Sequence, residues 1–290
     1  MAMHTVYVLF GTPSFLAHVD LNSTPADMTI HGDDAQDYFG SSLASGDLNG
    51  DGIDDLATGA WAADTAGKSA SGRVYIFYGS SSFTTPLTID LDSASADVTL
   101  NGPSTGGYFG YALATGDVNG DGIMDLLIGA YGTDLMAGRV YVVYGKVPLG
   151  STFDIEISGA NAYDKSGVAL ASGNLNGDKP DDIIWGALGA DPSARNQAGN
   201  TYVVMGTITA NASGGSAPPA NRRTDTNFTI EDTGTGTSAR IGCFIDAAAN
   251  GSCAHPDAQF SGALRGIHSS VLIGADRSRA LETGKGRDKL

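Results

Sequence analysis

The stretch Tyr38-Phe-Gly-Ser-Ser-Leu-Ala-Ser-Gly-Asp47-Leu-Asn-Gly-Asp51-Gly-Ile-Asp-Asp55-Leu-Ala-Thr-Gly-Ala60 decides the fold, because the chain repeats it almost residue for residue. The second copy is Tyr108-Phe-Gly-Tyr-Ala-Leu-Ala-Thr-Gly-Asp117-Val-Asn-Gly-Asp121-Gly-Ile-Met-Asp125-Leu-Leu-Ile-Gly-Ala130. A looser third runs Lys165-Ser-Gly-Val-Ala-Leu-Ala-Ser-Gly-Asn174-Leu-Asn-Gly-Asp178-Lys-Pro-Asp-Asp182-Ile-Ile-Trp-Gly-Ala187, and a worn fourth keeps Ser270-Val-Leu-Ile-Gly-Ala275. Each copy reads as a short strand, an Asp/Asn/Gly loop and a second strand closed by Gly-Ala.

A second motif keeps the same rhythm. Val6-Tyr-Val-Leu-Phe-Gly11 recurs as Val74-Tyr-Ile-Phe-Tyr-Gly79, Val140-Tyr-Val-Val-Tyr-Gly145 and Thr201-Tyr-Val-Val-Met-Gly206, at intervals of 68, 66 and 61 residues. Runs of β-branched and aromatic residues ended by Gly are buried strands. A fourth strand such as Ala96-Asp-Val-Thr-Leu-Asn-Gly102 completes the unit. Four short antiparallel strands per period predict an all-β protein built from β-propeller blades. A β-sandwich would not repeat one motif at one interval. The repeats run over about 36–102, 103–158 and 159–231, with partial units at 1–35 and 232–290. This is one propeller region of about four blade-equivalents. The N-terminal strands could complete a blade begun by the C-terminal ones, closing a ring of four. A piece cut from a larger ring has the same appearance, and that reading is slightly preferred.

The acidic loops carry the chemistry. Asp47, Asn49, Asp51 and Asp55, and again Asp117, Asn119, Asp121 and Asp125, place side-chain oxygens at loop positions 1, 3, 5 and 9. The backbone carbonyls of Ile53 and Ile123 are the natural ligands at position 7. Ca²⁺ takes about six to eight hard oxygens, whereas Mg²⁺ demands near-ideal octahedral geometry, so the expected ion is Ca²⁺. The third loop offers Asn174, Asn176, Asp178, Pro180 (carbonyl) and Asp182, but Lys179 replaces the second glycine, so a weaker site is expected. In the fourth repeat Ala248-Ala-Asn250-Gly-Ser252 stands in the loop and Ser270 replaces the last Asp, which predicts a lost site braced by Cys243 and Cys253. An EF-hand is ruled out because Thr58 and Ile128 stand where its Glu belongs. A dockerin-type loop needs a following helix, and a strand follows here.

Composition agrees with this. The 290 residues include 41 Gly, and the formal net charge is −16. Glycine supplies tight turns, and the acidic balance argues against nucleic acid, which needs clustered Lys and Arg. No apolar run approaches the roughly 18 residues of a membrane helix. The start, Met-Ala-Met-His-Thr, lacks the basic and apolar regions of a signal peptide. The two cysteines are compatible with a disulfide or with two thiols. The five His residues are scattered, and no Ser/His/Asp order or nucleophile elbow is visible, so no catalytic residue is expected in this chain.

Phe39-Gly40 and Phe109-Gly110, with Gly59-Ala60, Gly129-Ala130, Gly186-Ala187 and Gly274-Ala275, resemble the two signatures of the FG-GAP repeat, the blade unit of the integrin α-subunit propeller. The resemblance implies a seven-bladed ring in full-length members, of which this chain would be a fragment, with Ca²⁺ loops on one face of the disc and partner contacts on the other. Similar blades occur in glycosylphosphatidylinositol-specific phospholipase D and in some propeller lectins. The expected function is therefore an extracellular or cell-surface adhesion module that binds a protein or glycan through its loops, with structural Ca²⁺. The alternatives are the propeller of a hydrolase or a sugar-binding propeller. Contact candidates in the loops after Gly-Ala are Trp61, Asp64, Tyr131, Asp134 and Asp191, although packing at blade edges would explain each equally well.

Overall fold

The computed structural model describes residues 4–12, 18–146, 148–191, 198–206 and 228–231. The strands are β1 (Thr5–Val8), β2 (Met28–His31), β3 (Ser42–Gly46), β4 (Asp55–Ala60), β5 (Arg73–Phe77), β6 (Leu87–Asp90), β7 (Val98–Asn101), β8 (Ala112–Gly116), β9 (Asp125–Ala130), β10 (Arg139–Val143), β11 (Ile155–Ser158), β12 (Ser166–Gly173), β13 (Asp182–Ala187), β14 (Asn200–Val204) and β15 (Phe228–Glu231). They form three four-stranded antiparallel sheets, β3-β4-β5-β7, β8-β9-β10-β11 and β12-β13-β14-β15, and one three-stranded sheet, β1-β2-β6. These sheets are propeller blades. The worn fourth copy and the Cys243/Cys253 pair lie outside the described residues.

Blades stack because their middle strands are apolar on both faces. Along β5, Val74 and Ile76 face the core shared with the next blade, which holds Leu126, Ile128, Tyr141 and Val143. Tyr75 and Phe77 face the opposite way, onto Val6, Met28, Ile30 and Phe39. Strand β10 splits likewise, with Tyr141 and Val143 on one side and Val140 and Val142 on the side of Ile183 and Trp185. Period-two alternation thus feeds two interfaces at once, which is why the sequence reads as continuous apolar runs.

One strand departs from the expected order. β6 leaves the β5–β7 connection and pairs with β2 of the preceding blade, in parallel, with Met28 opposite Leu87 and His31 opposite Asp90. It covers what would otherwise be an open sheet edge.

The repeats also differ in a way that can be measured. In the first full blade the Tyr75 hydroxyl bonds the Asp33 carboxylate (3.0 Å) and accepts from Arg73 Nη1 (2.8 Å), and Arg73 in turn pairs with Asp33 (3.0 Å). In the next blade Pro103 stands where Asp33 would be, and the buried Tyr141 hydroxyl has no hydrogen-bond partner among the described residues. Tyr75→Phe should therefore cost about 1–2 kcal/mol, while Tyr141→Phe should be neutral or slightly stabilising. Equal losses in denaturant unfolding of the two variants would contradict this account.

Candidate metal centre

Each acidic loop joins the first and second strands of a blade: 47–55 between β3 and β4, 117–125 between β8 and β9, and 174–182 between β12 and β13. The strongest anchor is position 9. Asp55 Oδ2 accepts from Leu48 N (3.0 Å), and its Oδ1 accepts from Gly79 N (2.9 Å) at the end of the third strand. Asp125 repeats this with Val118 N (2.9 Å) and Gly145 N (2.9 Å), and Asp182 with Leu175 N (2.7 Å) and Gly206 N (3.0 Å). The glycine that ends each Val-Tyr strand motif is thus tied to its loop by the last Asp. Sequence reasoning read this glycine only as a strand stop.

The remaining oxygens organise the turn. In the first loop Asp47 Oδ1 accepts from Gly50 N (2.6 Å) and Asp51 N (3.0 Å), Asp47 Oδ2 from Gly52 N (2.8 Å), Asn49 Oδ1 from Asp51 N (2.8 Å) and Asp51 Oδ1 from Ile53 N (2.8 Å). The second loop keeps the bonds from Gly122 to Asp117 Oδ2 (2.9 Å), Asp121 to Asn119 (2.8 Å) and Ile123 to Asp121 (2.8 Å). There, however, Asp117 Oδ1 is buried with no hydrogen-bond partner among the described residues. An unsatisfied buried carboxylate oxygen is costly, and a cation held by the loop would satisfy it.

Burial pushes Asp125 up to about 7, with Asp121 and Asp117 adding to the rise and the Gly145 and Val118 amides opposing it. Asp55 and Asp182 are raised as well, burial again being the main cause. Among the described residues no three His, Cys, Asp or Glu side chains converge as a ready-made metal cluster. A hard-oxygen site would here require the loop carboxylates to close in on an ion together with the Asn49 or Asn119 carbonyl oxygen and a backbone carbonyl. That donor set fits Ca²⁺.

The third loop is built differently. Gly52 and Gly122 hold left-handed φ values of +88° and +96°, whereas Lys179 at the same position does not adopt that conformation. Asn174 Nδ2 donates to the Asp178 carbonyl, and Asn176 Nδ2 to Asp178 Oδ2 (2.9 Å). Amide N–H donors fill this loop, and Pro180 is buried beside it. The fit to a cation is correspondingly poor.

The contact candidates lie at the opposite end of the blades, because β4 and β9 run from the acidic loops back to Gly-Ala. Trp61 stacks on Tyr38 (centroids 4.7 Å apart) and meets Tyr108 (5.3 Å) and Tyr111 (6.0 Å) edge-on, while Tyr131 contacts Tyr108 (5.1 Å) and Tyr111 (4.5 Å). The result is a half-buried aromatic ribbon across neighbouring blades. Tyr38 and Tyr108 enter it from left-handed backbone, φ 57° and 55°, a conformation rare for a bulky side chain. Sequence reasoning missed both, although each immediately precedes a Phe-Gly pair. The other candidates have structural work: Asp64 accepts from Ala70 N (2.7 Å) and so closes its own loop, and Asp134 pairs with Arg139 (2.6 Å), which also binds Glu156. Asp191 is exposed at the end of a described run.

Beside the ribbon, Asp37 is raised from its ordinary 3.8 to about 6 by burial, then by Asp33 and Asp34, with Arg73 opposing and Asp64 adding a little. A carboxyl whose pKa is raised on folding holds its proton longer in the native state, so stability falls as pH rises from about 4 to about 6. Asp37→Asn should therefore raise the melting temperature at pH 8 and leave it unchanged near pH 4. The same increment at both pH values would contradict this assignment.

Fold and loops together define a β-propeller protein whose blades carry Asp/Asn/Gly hairpin loops. More particularly, the chain carries FG-GAP repeats, with residues 39–77 and 109–143 matching the FG-GAP repeat. Phosphatidylinositol-glycan-specific phospholipase D of Rattus norvegicus is 40% identical over 148 residues, which is 49% of this chain and 17% of that protein. The Homo sapiens protein of the same name is 37% identical over 155 residues, 51% of this chain and 18% of the relative. Integrin alpha-PS2 of Drosophila melanogaster is 34% identical over 220 residues, covering 69% of this chain and 14% of the integrin. The chain thus spans less than a fifth of the length of each of these relatives. No helix among the described residues is long and apolar enough to cross a membrane.

Proposed function

We propose that the chain is a calcium-stabilised binding module that works outside the cell or at its surface, holding Ca²⁺ at 47–55 and 117–125 and presenting a protein or glycan ligand with the opposite face. The observation that carries the calcium reading is the in-register pair of loops, together with the unpartnered buried Asp117 Oδ1 in the second. Asp47, Asn49, Asp51 and Asp55 would hold one ion, with the Ile53 carbonyl; Asp117, Asn119, Asp121 and Asp125 would hold the other, with that of Ile123. Bound there, Ca²⁺ neutralises carboxylates that burial and mutual repulsion otherwise disfavour, and so rigidifies the hairpin. The third loop, filled by its own amides, is not assigned an ion.

The aromatic ribbon Tyr38–Trp61–Tyr108–Tyr131 supports the ligand face, since amphipathic aromatic surface suits protein or sugar contacts. A second reading, the propeller part of a phosphatidylinositol-glycan-specific phospholipase D-like hydrolase, is favoured by the 40% identity to the rat protein. In both readings the described residues provide binding surface.

Calorimetric titration tests the calcium assignment: two Ca²⁺ per chain, with Mg²⁺ binding much more weakly, and one site lost in each of Asp51→Asn and Asp121→Asn. Absence of saturable Ca²⁺ binding would overturn the proposal.

A further inference from the structure

The two intact loops share one sequence pattern but not one environment. The backbone links them in series: Met124 N donates to Asp47 O (3.0 Å), and the same position of the third loop, Asp181 N, donates to Asp117 O (2.8 Å). The third loop adds two contacts that have no counterpart between the first and second. The Asp181 carboxylate accepts from Asp117 N (3.2 Å), and Lys179 Nζ donates to the Gly120 carbonyl (2.6 Å). Gly120 is buried and lies between Asn119 and Asp121, two side chains of the second site. The residue of the second loop that corresponds to Lys179 is Gly122, which has no side chain to extend toward the first loop. Among the described residues, the second loop therefore has a lysine ammonium against its backbone, and the first has no such contact.

Resting on the calcium reading above, we propose that Lys179 is a resident cation that sets the Ca²⁺ affinity of the second loop below that of the first, making the two loops fill in order. The ammonium takes up part of the field of Asp117 and Asp121 and repels an incoming divalent ion. Lys179 itself is exposed, so its charge acts most fully at low ionic strength and is screened as salt rises. It also anchors the third loop, which lacks the donors to be ordered by an ion of its own. The substitution of Gly by Lys at position 6, which spoils the third loop as a site, is thus given a purpose in its neighbour.

The test is a Ca²⁺ titration of the full chain and of Lys179→Met by competition with a chromophoric chelator, at low salt and at about 0.5 M KCl. Asp51→Asn and Asp121→Asn assign each constant to its loop. The expected result is two unequal constants, the weaker belonging to 117–125. In Lys179→Met the weaker one should tighten about tenfold at low salt and less at high salt, with the first-loop constant unchanged. Lys179→Arg should behave as the parent. In chelator, with no ion bound, Lys179→Met should melt below the parent because the tether to Gly120 is lost. An unchanged second-loop constant, or an equal change in both, overturns the role of Lys179 while leaving the calcium reading intact. No Ca²⁺ binding by the parent chain removes both.

Discussion

Gly129→Ala will lower the melting temperature by roughly 6–12 °C, corresponding to about 3 kcal/mol for a chain of this size. A Cβ at Gly129 would stand 2.0 Å from the Gly167 carbonyl oxygen of the next blade, and at Gly59 it would stand 2.1 Å from Gly110 O. Both obstacles are backbone, so no side-chain rotation relieves them. The same glycines accept hydrogen bonds from the Phe-Gly turns of their own hairpins, Gly40 N to Gly59 O (2.9 Å) and Gly110 N to Gly129 O (3.0 Å). Inserting a methyl group must either wedge two blades apart or break that bond. Gly173→Ala is the matched control: a Cβ there meets nothing within 4 Å. It should change stability by no more than about 0.5 kcal/mol. If the two variants melt together, the glycine of the Gly-Ala signature is not set by blade-to-blade contact.

Removal of calcium should have an effect of similar size. With each site at about a hundredfold its dissociation constant, mass action adds about 2.7 kcal/mol per ion, or about 5 kcal/mol for two. Excess chelator should then lower the melting temperature by roughly 10–20 °C, and added Ca²⁺ should restore it. Asp121→Asn should lose somewhat less than half of that calcium-dependent increment, because its loop is the weaker site. The loss should be larger at pH 8 than at pH 5, because Asp125, with its pKa near 7, sheds its proton over that interval and is then an unneutralised buried charge. A melting temperature indifferent to chelator would mean that the loops are ordered by their own hydrogen bonds alone.

Much of the blade was legible in the chain because each strand is a local pattern. Val-Tyr-Val-Val-Tyr-Gly and Asp-Leu-Leu-Ile-Gly-Ala are apolar on both faces, and the repeat places them in register. The same holds for the loop positions, where Asp, Asn and Gly alternate within nine residues. What was not legible depends on partners distant in sequence. Nothing in Leu87–Asp90 announces that it pairs in parallel with Met28–His31 of another blade. Asp55 and Asp125 were read as members of a loop, but their carboxylates also hold Gly79 and Gly145, which follow the next strand. Lys179 read as damage to a metal loop, and its contact with Gly120 across the blade boundary could not be inferred from composition. Asp64 and Asp134 both follow a Gly-Ala pair, and nothing in that spacing announces their bonds to Ala70 N and Arg139.

The account joins one blade type to one ion at two particular loops. Its most direct test is a crystal structure of the chain grown with calcium, with anomalous difference density collected at a long wavelength. The account predicts one peak enclosed by Asp47, Asn49, Asp51 and Asp55, a second by Asp117, Asn119, Asp121 and Asp125, and none at 174–182. Loops ordered as described here but without either peak, at a Ca²⁺ concentration in the millimolar range, would contradict it.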